Sequence, residues 1–230
     1  MEADDDGLYV VKFRAAGQGL KALVAEVIVG GLAAAVELPV PELVGIELAP
    51  ELGRTEPDPE INELVTGSAG LNLGVDFLPG ALDYSAACAD DVTTEFASAL
   101  VWFDALTTNV DRTARNPNLL VWHGRIWLID HGAALYQHHG PRDLLARARE
   151  PFPLIADHVL LPLARDLPGA DARLAARLDE AAIVAAVAGV PEDWLGEDPS
   201  GARERYTSYL LARLEPPRSF VDEAETARDR

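Results

Sequence analysis

The densest run of reactive side chains is Asn109-Val110-Asp111-Arg112-Thr113-Ala114-Arg115-Asn116-Pro117-Asn118, set between an apolar helix and an apolar strand. Nineteen residues after Asp111 comes Ile129-Asp130-His131-Gly132, at the end of Ile126-Trp127-Leu128-Ile129. A helix that delivers an Asp and, five residues on, an Asn, followed by a hairpin that delivers a second Asp, brings two carboxylates and an amide toward one small site. Their oxygens suit Mg²⁺. The remaining carboxylate suits an attacking hydroxyl, which it orients or deprotonates. Phosphoryl transfer asks for that set: one Asp at the nucleophile, and an Asn and an Asp on a metal that bridges the phosphates. Taken singly, Asp111 and Asn116 are ordinary turn-formers and Asp130 caps a turn before Gly132. Their order and placement between apolar elements point to chemistry.

A second signal stands at the front. Lys12 lies among Leu8, Tyr9, Val10, Val11 and Phe13, so it either snorkels from a strand edge or is buried and paired. Glu26 is the sole acid between Leu20 and Val36 and is the available partner. A strand lysine paired to a lone helix glutamate is an arrangement that grips nucleotide phosphates.

The elements that must carry these groups follow from periodicity. Strands are expected at Tyr9–Phe13, Leu43–Leu48 and Leu71–Leu78, the last closed by Pro79-Gly80. Helices are expected near Leu20–Val36, Glu60–Val65 and Asp91–Leu106, with Val92, Phe96, Leu100 and Phe103 on one face of the third. Leu119–Trp122 and Arg125–Ile129 form a hairpin around His123-Gly124. From Pro141 to Leu214 the pattern is mostly helical and broken by prolines, and the charged tail after Pro216-Pro217 is expected to fray. A strand-rich first third ahead of a helical remainder predicts an α+β fold. Its parts are residues 1–80 and 81–230.

Composition narrows the function. The 230 residues carry a formal charge of −19, which repels nucleic-acid backbones and requires any anionic ligand to meet local cations, a metal or backbone N–H groups. No apolar run is long enough for a membrane span, and the acidic Met1–Gly7 is not a signal peptide. A single cysteine, Cys88, excludes an internal disulfide, and the expected setting is cytoplasmic. Only Lys12 and Lys21 are lysines; every other basic residue is arginine.

Asp111-Arg112-Thr113-Ala114-Arg115-Asn116 resembles the D-R-H-x-x-N catalytic loop of phosphatidylinositol kinases and the related loop of HipA-type bacterial kinases. Ile129-Asp130-His131-Gly132 resembles their metal-binding I-D-F-G element. Overall the chain is most similar to small HipA-like kinase-domain proteins, related to the phosphatidylinositol 3/4-kinase-like superfamily. That resemblance implies a bilobal kinase-like fold with a small, truncated β-rich N-lobe and a helical C-lobe. It also implies an ATP- and Mg²⁺-dependent phosphotransferase that phosphorylates a hydroxyl on a protein or small molecule, with neither nucleic acid nor membrane as partner. On it, Lys12 contacts ATP phosphates, Glu26 orients Lys12, and the backbone of Val75, Asp76, Phe77 and Leu78 forms the adenine hinge. Asp111 is then the catalytic Asp, and Asn116 and Asp130 hold Mg²⁺.

Two departures from the family pattern bear on this. Thr113 stands where phosphatidylinositol kinases have His, and no Gly-rich loop precedes the Lys12 strand, since only Met1–Leu8 lie upstream of that strand. Either translation begins further upstream, or nucleotide is held with less cover. Gly17-Gln18-Gly19 is either a plain turn or a supply of backbone N–H groups for phosphate. Retention of Lys12, Asp111, Asn116 and Asp130 favours an active enzyme. The missing glycine loop favours the alternative, an impaired kinase-fold module that binds nucleotide or a partner protein.

Other reactive residues carry less. His138-His139 has no third metal ligand at useful spacing and is expected as an exposed loop pair. His131 is a supporting residue or part of a turn. Cys88 lies beside Asp90 and Asp91, which disfavour a thiolate. Ser68 lacks a His-Asp accompaniment, and Trp102, Trp122, Trp127 and Trp194 are expected in the core.

Overall fold

The computed structural model describes residues 1–17, 19–55, 57–85 and 92–230. Chain order begins with β1 (Tyr9–Lys12), α1 (Leu20–Ala35), β2 (Leu43–Leu48), α2 (Pro59–Gly67) and β3 (Gly70–Asp76). There follow β4 (Leu82–Asp83), α3 (Thr94–Thr107), β5 (Leu119–Trp122) and β6 (Arg125–Leu128). Last come α4 (Leu167–Ala175), α5 (Glu180–Ala188), α6 (Pro199–Leu214) and α7 (Ser219–Arg228). The architecture is α+β, as expected, with seven helices and two antiparallel sheets among the described residues.

The first sheet has the order β1-β3-β2, with Tyr9 opposite Asp76, Lys12 opposite Leu73, and Leu43 opposite Val75. The second has the order β4-β5-β6. Its β5–β6 hairpin turns at His123-Gly124, both at positive φ (48° and 71°), the pairing a tight two-residue turn needs. Helix α1 packs Leu23, Val24, Ile28, Val29 and Leu32 into the core, and Pro39 follows soon after it.

Helix α3 runs through the middle of the core. Thr93 caps its N-terminus, accepting from the Phe96 N–H at 3.2 Å, and Thr108 ends it in a left-handed conformation. The carbonyls of its last turn are met by the buried Arg213 of α6, which donates to Leu106 O at 2.6 Å and Ala105 O at 2.7 Å. A cation at a helix C-terminus also complements the helix dipole.

Four expectations change. Between Pro141 and Asp166 the backbone makes only short 3₁₀ turns, because Pro151, Pro153 and Pro162 interrupt the i→i−4 pattern before a full helix can propagate. The tail after Pro216-Pro217 is helix α7 rather than a frayed end, since Phe220, Val221 and Ala224 are buried and Phe220 packs edge-on to Trp102. Val92 precedes α3 instead of opening its apolar face, and Asp91 lies outside the described residues. Trp102 and Trp194 are core residues, whereas Trp122 and Trp127 are half-buried. No helix among the described residues is long and apolar enough to cross a membrane.

Candidate functional site

Strand alternation puts Lys12 on the same face of β1 as Val10, whose side chain is 51% exposed, and Leu8, 50% exposed. An amine therefore emerges beside an uncovered apolar strip. It meets two carboxylates. Lys12 Nζ is ion-paired with Glu26 from α1 and donates to Asp130 Oδ1 at 2.6 Å. Glu26 is only 1% exposed and accepts two further bonds, from the backbone N–H of His131 at 2.9 Å and of Gly132 at 2.8 Å. A Cβ at position 132 would lie 3.3 Å from Glu26 Oε1 and 3.4 Å from the Ala22 methyl, so this close approach of loop to helix favours glycine there.

The charges act on one another as the geometry requires. Burial works against the Lys12 ammonium, but Glu26 and Asp130 outweigh it and hold its pKa above the usual lysine value. Burial raises the Glu26 carboxyl above its ordinary range, with Lys12 opposing. Asp130 is also penalised by burial, yet Lys12 holds it below the normal carboxylate value. Asp130 adopts φ +57°, a left-handed conformation that is uncommon outside glycine.

The Asp111 loop closes on itself. Asp111 Oδ2 accepts from Asn116 Nδ2 at 2.8 Å and from Asn118 Nδ2 at 3.3 Å, while the Asp111 N–H donates to Asn109 Oδ1 at 3.1 Å. Thr113 is the loop's clasp. Its N–H donates to Asp111 O and Asn116 O, each at 3.0 Å, and its Oγ1 accepts from the Asn116 N–H at 3.2 Å. Among the described residues no hydrogen bond joins the Asp111–Asn116 pair to the Asp130 carboxylate. The two loops meet through backbone, where the Ile129 N–H donates to Asn118 O at 3.1 Å.

The hinge candidates lie where β3 leaves its sheet. Val75 pairs with Val10 and Leu43, the Asp76 N–H donates to Glu42 O, and the Phe77 N–H donates to Leu8 O at 2.9 Å. Leu78 is buried and Phe77 exposed. The chain then turns at Pro79-Gly80, where Pro79 O accepts from Trp122 Nε1 at 2.9 Å, and enters the second sheet.

Behind the site lies a supporting cluster in which His131, expected as a supporting residue or turn, is joined by Arg112, Asp104 and His158, for which the sequence assigns no role. Arg112, next to Asp111, is buried with Asp104 of α3, His131 and His158. Arg112 Nε donates to Asp104 Oδ2 at 2.6 Å, and His158 Nε2 lies 2.9 Å from the same oxygen. The Leu160 N–H donates to His158 Nδ1 at 3.0 Å, so Nε2 carries the proton toward Asp104. Burial would raise the Asp104 pKa, but Arg112 and His158 bring it down to about 2. Burial and Arg112 push His131 down to about 3, leaving a neutral ring. The available signal was Asp104 itself, a lone acid inside Val101-Trp102-Phe103-Asp104-Ala105-Leu106, a run that otherwise asks for burial.

The remaining candidates sort simply. His138 is buried, contrary to expectation: its Nδ1 lies 3.0 Å from the Tyr206 hydroxyl and its Nε2 2.9 Å from His139 Nε2, and burial pushes it down to about 3. The reason is α6, which lays Tyr206 against it. Ser68 is buried and accepts from the Ala15 N–H at 3.2 Å. Gly17 and Gly19 are both at positive φ in the turn before α1, whose first turn has neither a side-chain cap nor an acid. Gln18 and Cys88 lie outside the described residues. No group of three or more His, Cys, Asp or Glu residues among those described is arranged to hold a metal. Asp111, Asn116 and Asp130 offer oxygen donors, the chemistry Mg²⁺ accepts alongside water and phosphate oxygens.

The model of one protein family, described as HipA-like kinase, matches residues 2–213. No curated protein and no solved structure matches the chain.

Proposed function

The chain belongs to the HipA-like kinase family, and from that premise we propose an ATP- and Mg²⁺-dependent phosphotransferase that phosphorylates a hydroxyl of a protein or small molecule. On this reading the first sheet with α1 and α2, residues 1–80, forms the small lobe of a bilobal kinase. Residues 81–230 form the large lobe. The observation that carries the reading is the position of Lys12, held between Glu26 of α1 and Asp130 of the loop after β6.

Each residue then has a task. Val10 and Leu8 offer an apolar face to the adenine ring, and the backbone from Val75 to Leu78 its polar edge. Lys12 exchanges Asp130 for the nucleotide phosphates while Glu26 keeps it in place, which leaves the Asp130 carboxylate free to ligate. Asn116 and Asp130 would hold Mg²⁺, which supplies charge neutralisation across the phosphates. Asp111 takes the proton of the attacking hydroxyl as its oxygen bonds to the γ-phosphorus. The bond from that phosphorus to the bridging oxygen breaks, and ADP leaves with the electron pair. The partners are therefore a nucleotide and a hydroxyl-bearing acceptor. The expected compartment is the cytoplasm.

Calorimetry and thermal melting test the reading. Mg²⁺ with millimolar ATP should raise the melting midpoint by mass action on the folded state. ATP without metal should do far less, because the −19 chain repels it. Asp130→Ala should remove the metal-dependent part. Asp111→Ala should bind Mg²⁺-ATP and transfer nothing. No shift with any nucleotide would defeat the proposal, and binding without turnover in the unaltered protein would leave the impaired-module alternative.

A further inference from the structure

We propose that Arg112 and Asp104 are positioning residues that lock the Asp111 loop and the Asp130 loop into one rigid unit. The inference rests on the phosphotransferase reading for its functional consequence, but its structural content stands apart from it.

A guanidinium has five N–H donors in a fixed plane. In Arg112 they reach four residues on three separate segments. Nε goes to Asp104 Oδ2 at 2.6 Å in α3. NH1 goes to Asn118 O, whose own side chain donates to Asp111, and reaches Ile129 O at 3.4 Å, one residue before Asp130. NH2 meets His131 Nδ1 at 3.3 Å, one residue after Asp130. One side chain thus brackets Asp130 from both sides and also holds the base of the Asp111 cluster. Its own backbone is fixed as well, since Arg112 O accepts from the Val159 N–H at 3.1 Å.

Electrostatics supports the arrangement. Both Arg112 and Asp104 have fully buried side chains, and such a pair is stable only when hydrogen bonds occupy the remaining lone pairs and protons. Asp104 receives Arg112, His158 Nε2 and Asn109 Nδ2 at 3.2 Å, and Asn109 in turn accepts from the Asp111 N–H. Asp104 therefore anchors both ends of the Asp111 loop approach. His131 Nδ1 is the acceptor for the NH2 arm of the guanidinium, which can only donate. The left-handed backbone at Asn118 and Asp130, φ 48° and 57°, is strained for non-glycine residues and persists where surroundings over-determine it. The Arg112 fork provides that constraint at both positions.

The test uses three variants of the full chain: Arg112→Lys, Asp104→Asn, and the double variant Asp104→Leu with Arg112→Met. The double variant removes both buried charges together and so leaves no unpaired ion, although His158, Asn109 and the Asn118 and Ile129 carbonyls lose a partner. Hydrogen–deuterium exchange without nucleotide should rise in both 109–118 and 129–133 in every folded variant, while α3 stays protected. In a phosphotransfer assay kcat should fall roughly a hundredfold, as misplacement near 1 Å produces, with KM for Mg²⁺-ATP changed by no more than a few-fold. Exchange that rises in one loop only, or in neither, overturns the inference. So does a folded double variant with unaltered kcat. If the unaltered protein proves inert toward Mg²⁺-ATP, the exchange measurement still decides the coupling, and the phosphotransferase reading alone is lost.

Discussion

Replacing Lys12 with Met removes the ammonium from between Glu26 and Asp130 while keeping most of the side-chain volume. Breaking an enclosed ion pair from one side costs about 3–5 kcal/mol. Two features reduce that here. The Lys12 side chain is 22% exposed, so part of its charge is already solvated. Glu26 also keeps the His131 and Gly132 N–H donors. The expected loss near neutral pH is about 1–3 kcal/mol, or roughly 3–10 °C in melting midpoint for a chain of this size.

The pH dependence separates this cause from loss of packing. Burial already lifts the Glu26 carboxyl above its unfolded value of 4.5, and without Lys12 it rises further. A carboxyl whose folded pKa is raised contributes its stability below the unfolded value and loses it as pH rises through the folded one. The deficit of Lys12→Met should therefore open above about pH 4.5 and be smaller at about pH 5 than at about pH 7.5. Urea unfolding at the two pH values measures it. The double variant Lys12→Met with Glu26→Gln should recover part of the loss, because the buried charge is gone but the amide nitrogen replaces one of the two oxygens that accept the His131 and Gly132 N–H groups. Equal deficits at both pH values, together with no recovery in the double variant, would refute the reasoning that Glu26 is buried as an anion for the sake of Lys12.

Other expectations are checked by melting and binding. Arg213→Leu leaves the carbonyls of Ala105, Leu106 and Ala148 without their donor; the cost should be about 3 kcal/mol, and a midpoint drop of only a degree or two would contradict the capping role. Gly124→Ala places a Cβ at φ +71° in the β5–β6 turn and should cost about 1 kcal/mol, with Gly124→Asn milder. Asp130→Ala should abolish the extra stabilisation that Mg²⁺ adds to ATP, measured by titration calorimetry with and without metal, whereas Asp111→Ala should keep it.

The local elements were largely legible in the residues. β2 at Leu43–Leu48 and the hairpin around His123-Gly124 follow from β-branched and apolar strands with a turn dipeptide between them, signals that act over a few residues. Helix α1 follows from the spacing of Leu20, Leu23, Val24, Val27 and Ile28, which Pro39 bounds. The proposed reactive set was read from residue type and order, and of it the structure pairs Lys12 with Glu26 and Asp130, and Asp111 with Asn116. The partnership of Lys12 with Glu26, fourteen residues apart, came from noting one amine and one acid in otherwise apolar segments.

Other features belong to the tertiary structure. The tail after Pro217 reads as solvent-exposed by charge, yet Phe220 against Trp102 and Arg218 on Asp171 give it a surface on which to fold as α7. His138 became buried because α6, nearly seventy residues later, delivers Tyr206. Arg112, one position from Asp111, gains its meaning only when α3, Asn118 before β5, Ile129 after β6 and Val159 converge on it. Sequence periodicity and residue chemistry fix what a segment forms and which groups it carries. Which buried charge faces which carbonyl is decided by contacts between segments far apart in the chain, and no local pattern encodes those distances.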